Sequence, residues 1–233
     1  MYFATTLRNV TPDGWVVIAI LAVMFFASIM IMALKALYLS RVAQGNKSFL
    51  ARFYAEAADP AALEKRLADE GEADEDDFGG STLAQLYHHG MRETLKRLEG
   101  QSVGAERARI LSAQSIEAIR ATLDAGLTRR LQQLNARMVW LTVSIAGGPF
   151  LGLLGTVVGV MITFAAIAAS GDVNINAIAP GIAAALVATV AGLGVAIPCL
   201  FGYNYLNTRV REIGADMRVF VDEFVTRIAE TYS

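Results

Sequence analysis

Apolar positions along the chain gather into three long runs separated by charged text. The first extends from Gly14 to Leu34. The second, Met138 to Ala169, and the third, Val173 to Thr208, contain no Lys, Arg, Asp, Glu or His. Each run reaches the ~20 apolar residues that a helix needs to cross the hydrocarbon core of a bilayer. Between the first two runs the text changes period. Ala36 to Phe53 continues the first run as helix-like sequence, and Asp59-Pro60 is a good helix start. From Ser81, a stripe of Leu83, Leu86, Met91, Leu95 and Leu98 predicts a helix that is interrupted near Gly100 to Gly104. Ile116, Ile119, Leu123, Leu127, Leu131, Leu134 and Met138 then recur at steps of three or four, which is the clearest amphipathic helix in the chain. No helix stop falls between Arg120 and Val143, so this helix is predicted to run unbroken into the second span. Val210, Ile213, Met217, Phe220, Phe224 and Ile228 form a matching stripe that extends the third span. The pattern predicts an all-α membrane protein with three transmembrane helices, the second and third prolonged as long helices outside the bilayer.

Charge orients these elements. Lys35, Arg41, Lys47 and Arg52 follow the first run, Arg120, Arg129, Arg130 and Arg137 precede the second, and Arg209, Arg211, Arg218 and Arg227 follow the third. Opposite them stands Arg8 alone. Positive charge stays on the cytoplasmic side, so the expected layout has residues 1–13 outside as a short periplasmic segment. A first transmembrane helix over 14–39 and a cytoplasmic helical region over 40–137 follow. A second span over 138–169, a periplasmic turn at 170–176, a third span over 177–207 and a cytoplasmic C-terminal helix over 208–233 complete it. The first run is too long for the core of a secretory signal and lacks a small-residue cleavage site, so it is expected to be a retained helix. Charged residues make up only 18% of the 233, below the ~25% usual in soluble domains.

Candidate chemistry outside the spans is sparse. Asp69 to Asp77 puts seven acids into nine residues, which reads as a solvated, self-repelling loop without the spaced ligands of a calcium site. His88 and His89 are adjacent and diverge by ~100° on a helix, with no Cys or further His nearby, so no metal is expected. Cys199, the single cysteine, reads as a small packing residue. There is no phosphate-binding loop, nucleophile elbow or basic-aromatic patch, so neither an enzyme, a cofactor nor a nucleic-acid partner is expected.

The second and third runs carry the informative detail. Gly148, Gly152, Gly155 and Gly159 step by four, three and four along one helix face, and Gly181, Ala185, Ala188, Gly192 and Ala196 do the same on the other. Small residues at this spacing let membrane helices approach closely. Thr156 and Thr189 sit near mid-span, where a hydroxyl can bond its own i−4 carbonyl or face a shared interior. Conduction by this chain alone would favour an Asp, Glu, Lys, Arg or His within the membrane. None is present, so any titrating group must come from another polypeptide.

Gly-Leu-Leu-Gly-Thr-Val-Val-Gly-Val-Met from Gly152, Ala-Pro-Gly-Ile-Ala from Ala179, Leu-Val-Ala-Thr from Leu186, then Pro198 and Tyr203-Asn204 resemble the MotA/TolQ/ExbB proton channel family, ExbB/TolQ branch. MotA is a poorer match, since flagellar stators carry four spans. The resemblance implies a bacterial inner-membrane ring of five copies around a dimeric ExbD- or TolR-like partner, whose membrane Asp carries protons, or sodium, past two pore threonines matching Thr156 and Thr189. The resulting force would act on a TonB- or TolA-like protein or on a motility apparatus. Ala184 departs from the pattern, standing where many members have a glutamate. A non-conducting membrane scaffold that organises partners through its cytoplasmic helices is the competing reading.

Overall fold

A computed structural model describes residues 12–56, 80–101, 111–170 and 175–232. The N-terminal residues 1–11, the Asp59-Pro60 start, the acidic run Asp69–Asp77 and residues 171–174 of the turn lie outside the described residues. Five helices make up what is described: α1, Pro12–Glu56; α2, Thr82–Gln101; α3, Ala113–Asn135; α4, Met138–Ser170; and α5, Ile175–Tyr232. Three of them, α1, α4 and α5, contain segments long and apolar enough to cross a membrane. The chain divides into two compact units. One comprises residues up to Lys35 with Arg137–Leu206, the other Ala36–Ala136 with Asn207–Ser233.

The expected continuity of the amphipathic helix into the second span does not hold. The helix ends at Asn135, and Arg137 takes a left-handed conformation with φ 68° before α4 begins. A side chain with a Cβ resists that region, which is why no stop was visible: the seat that usually holds Gly is filled by Arg. Local bonds hold the break. Asn135 Nδ2 donates to the Leu131 carbonyl at 2.9 Å, Ala136 N–H to Gln133 O at 3.2 Å and Trp140 N–H to Arg137 O at 3.3 Å. Asn135 is the one residue type there that favours a helix end. The third span, by contrast, runs as one helix of 58 residues with Pro180 and Pro198 inside it.

The unit rich in charge is a four-helix packing of the later part of α1, α2, α3 and the later part of α5. Leu39, Val42, Asn46, Phe49 and Phe53 are buried along α1, Leu83, Leu86, Tyr87 and Met91 along α2, Ile119, Leu123 and Leu127 along α3. From α5 come Val210, Ile213, Met217, Phe220, Phe224 and Ile228. Steps of three and four put each set on one stripe. Phe49, Phe53, Tyr87, Phe220 and Phe224 meet edge-on or tilted at 5.3 to 6.1 Å between ring centres, and such pairs add ~0.5–1.5 kcal/mol each beyond burial. The Arg227 guanidinium lies 4.8 Å from the centre of the Phe53 ring. Gly90 makes the closest approach: a Cβ there would press to 2.7 Å from Phe224 Cε1.

One buried polar knot ties this unit together. Asn46 Oδ1 accepts from Ser81 Oγ at 2.8 Å, from Thr82 Oγ1 at 3.2 Å and from Leu83 N–H at 3.3 Å, and Asn46 Nδ2 approaches Thr82 Oγ1 at 3.0 Å. Ser81 also caps α2 by accepting from Ala84 N–H. Asn46 on α1 thereby satisfies end groups of α2. Tyr54 donates to Glu223 at 2.7 Å. That bond, with some burial and the carboxylate's charge, holds the phenol above its ordinary value. A raised folded pKa means the bond's small contribution is complete below pH ~10 and fades as pH climbs through the raised value. Replacing Asn46 with Ala leaves buried hydroxyls and an amide short of partners, and should cost ~1–3 kcal/mol. The thermal midpoint of the detergent-solubilised chain should fall accordingly, while Thr128→Ala, an exposed hydroxyl bonded to its own helix, should leave it within error.

Candidate functional site: the glycine-lined hairpin

The apolar unit contains the first part of α1, α4 and the first part of α5. Lipid offers little hydrophobic drive between helices, so close packing of small residues has to hold α4 against α5. Gly148 and Gly192 face each other. A Cβ on Gly148 would come within 2.9 Å of the Gly192 carbonyl, and one on Gly192 would overlap the Gly148 carbonyl. At Gly152 a Cβ would meet Ala188 O at 2.8 Å and the Thr189 Cα at 2.9 Å. Further along, Gly155 meets the Ala188 methyl at 2.6 Å, Gly159 the Ala185 methyl at 2.7 Å, and Gly181 the Thr163 hydroxyl at 2.5 Å. At Gly148, Gly152 and Gly192 the obstacle is backbone, which cannot swing aside.

The two mid-span threonines take different bonds. Thr189 Oγ1 donates across the hairpin to the Gly152 carbonyl at 3.2 Å, whereas Thr156 Oγ1 donates to Leu153 O in its own helix at 2.7 Å. The helical pattern sends the Thr156 N–H to that same Gly152 carbonyl. Thr189 therefore sits level with Gly152, one turn from Thr156, and both residues are only partly buried. Thr163 donates to Gly159 O at 2.8 Å.

Ala184 is buried at 6% exposure. It shares a small pocket with Gly14 and Ile18 of α1, Gly155 and Gly159 of α4, and Gly181 of α5. The position thus lies where three helices meet. Further along α5, Val195 and Cys199 form a buried core with Leu21 of α1, and Val17, Met24 and Ile145 pack around them.

A second polar contact escaped the sequence reading. Ser28 on α1 and Ser144 on α4, both nearly fully buried, lie 2.7 Å apart, and Ser144 donates to the Trp140 carbonyl at 3.0 Å. Ser28 is then the donor to Ser144. A serine in an apolar run was the available signal, since a hydroxyl in hydrocarbon needs a partner. Gly202 was missed in the same way; it lies against the sulfur of Met32. Among the described residues no group of three or more His, Cys, Asp or Glu is placed to hold a metal, and His88 packs edge-on against Tyr87 at 5.8 Å.

A chain whose described residues are all helical outside turns, with three long apolar segments, two of them locked together by glycine and free of charge over 138–169 and 175–208, is a multi-pass membrane protein. The model of the MotA/TolQ/ExbB proton channel family matches residues 82–219, well over half of the chain, and the chain belongs to that family. It is similar to the Tol-Pal system protein TolQ of Haemophilus influenzae, 38% identical over 104 residues, 45% of this chain and 46% of that protein. To TolQ of Pseudomonas aeruginosa it is 31% identical over 144 residues, 62% of this chain and 59% of that one. The biopolymer transport protein ExbB of Aquifex aeolicus is 36% identical over 135 residues, 56% of this chain and 86% of that one. The chain thus spans about half the length of the TolQ relatives it matches.

Two glycines separate packing from composition. Gly152→Ala drives a methyl into backbone and should lower the thermal midpoint of the purified protein. Gly194 has nothing within 4 Å of a Cβ, and Ala favours a helix over Gly by ~1 kcal/mol. Gly194→Ala should therefore leave the midpoint unchanged or raise it.

Proposed function

We propose that this chain is an ExbB/TolQ-like subunit of an ion-driven motor in the bacterial inner membrane. Five copies form a ring around a dimeric ExbD- or TolR-like partner. The N-terminus lies outside, and the charged four-helix unit lies in the cytoplasm with the C-terminus. Protons, or sodium ions, pass by way of an Asp that the partner carries within the membrane. Thr156 and Thr189 face that carboxylate. The rotation or displacement so driven does work on a periplasmic TonB- or TolA-like protein, or on a motility apparatus.

The observation that carries this reading is the complete lack of Asp, Glu, Lys, Arg and His over 138–169 and 173–208. Membership of a proton channel family, joined to spans without a carboxylate, ammonium, guanidinium or imidazole, supports a proton-carrying group on another polypeptide. Two features support the assembly. Phe150, Leu153, Val157, Met161 and Phe164 on α4, with Leu186, Val190, Ile197 and Phe201 on α5, are all more than half exposed in the single chain. These faces are available to further copies and to lipid. The hydroxyls of Thr156 and Thr189 each donate to a carbonyl, so their oxygen lone pairs remain open to a protonated carboxyl or to water. At Ala184 the motor works without the carboxylate that many members have, and a methyl completes the three-helix packing.

Thr→Val keeps shape and removes the hydroxyl. The variant Thr156→Val/Thr189→Val, co-expressed with the partner, should assemble into rings of unchanged mass by native mass spectrometry. Its transport or motility in cells should fall at least ~10-fold, about 1.4 kcal/mol of lost stabilisation. Full activity in the double variant would remove the hydroxyls from the mechanism.

A further inference from the structure

We propose that a basic groove between α2 and α3 binds a phosphate-bearing anion. The two helices pack closely because Gly126 has no side chain: a Cβ there would touch Leu86 at 3.2 Å and His89 at 3.9 Å. Beside that contact opens a groove of about 250 Å³, lined by Gln85, His89, Arg92, Arg129, Arg130 and Gln133. Among the described residues no Asp or Glu lines it. Three other arginines of this unit find acids: Arg97 pairs with Glu93 at 2.8 Å, Arg120 with Asp222 at 3.2 Å and Arg209 with Glu212 at 3.0 Å. Arg92 and Arg129 have neither an ion pair nor a hydrogen bond among the described residues, and Arg130 gives one N–H to Gln133 Oε1 at 3.0 Å.

Three guanidinium groups drawn into one groove without a counter-charge repel one another, and an anion entering the groove relieves that repulsion. A phosphate suits the position better than a single carboxylate. It brings up to two negative charges and several acceptor oxygens, which match the planar fork of Arg, while the side-chain amide of Gln85 offers a neutral donor. The volume lies just below the ~300 Å³ at which pockets for larger organic ligands begin. It fits a pyrophosphate-sized group or a lipid phosphoglycerol headgroup rather than an extended polymer. The same chemistry is offered by the membrane surface and by soluble phosphate compounds, and the test separates these sources.

The full chain in neutral detergent is titrated calorimetrically with inorganic pyrophosphate, and in parallel placed in nanodiscs of zwitterionic lipid with or without phosphatidylglycerol. Arg92→Gln/Arg129→Gln removes two groove charges at exposed positions. Arg211→Gln/Arg218→Gln removes two charges between α3 and α5 and serves as the matched control. Saturable pyrophosphate binding that weakens at least ~10-fold in the groove variant and less than about threefold in the control supports the site with a soluble ligand. A phosphatidylglycerol-dependent rise in thermal midpoint, lost in the groove variant alone, supports it with a lipid headgroup. Absence of both effects, insensitivity to the groove variant, or equal loss in the control overturns the proposal. Should the double variant fail to elute as a folded assembly, Arg92→Gln alone takes its place under the same criteria.

Discussion

The backbone-to-backbone approach of α4 and α5 is the contact on which the apolar unit depends. At Gly148, Gly152 and Gly192 a methyl group would meet a carbonyl or Cα of the facing helix at 2.9 Å or less. Such proximity is useful in hydrocarbon, where dispersion and short polar contacts must replace the hydrophobic effect as the force between helices. It also creates the geometry for the one hydrogen bond that joins the two helices at mid-span. Thr189 can reach the Gly152 carbonyl because nothing but hydrogen projects from that Cα. The interhelical bond is worth ~0.6–2 kcal/mol by analogy with other membrane helices, so the packing contributes most of the hold and the bond sets the register.

That register has a chemical consequence. Packing with glycine and alanine leaves no room for a carboxylate between the helices, and at Ala184, buried against α1 and α4, a methyl occupies the junction. A hairpin built this way is a rigid, neutral wall with hydroxyls at a defined level. It can present hydrogen-bonding groups to a charge, but it has none of its own to offer. The proposed division of labour, a neutral ring around a charged partner, accords with the packing as much as with the chemistry of proton transfer.

Much of the fold was legible because each demand leaves a periodic trace. Lipid imposes long apolar runs, and the buried stripes of α2, α3 and the later part of α5 appear as Leu, Ile, Met and Phe at steps of three and four. What was not legible depends on distance or on an unusual residue in a familiar role. The end of α3 was invisible because Arg137, not Gly, adopts the left-handed conformation. Gly194 looks like Gly192 in sequence, yet only Gly192 has a neighbour that excludes a side chain. The serine pair Ser28 and Ser144 links residues 116 apart, and no local pattern announces such a partnership. The groove of Arg92 and Arg129 arises in the same way, from two stretches whose charges read separately as ordinary solvated positions.

Whether this chain is a passive wall or a conductor in its own right is decided by proton flux. The purified chain is reconstituted into liposomes carrying a trapped pH-sensitive dye, with and without the proposed ExbD- or TolR-like partner, under an imposed potential. The chain alone should leak no faster than empty liposomes. Adding the partner should restore flux, and changing the partner's membrane Asp to Asn should abolish it. Rapid proton flux through the chain alone would contradict the account, which takes the proton carrier from another polypeptide because α4 and the apolar part of α5 hold no Asp, Glu, Lys, Arg or His.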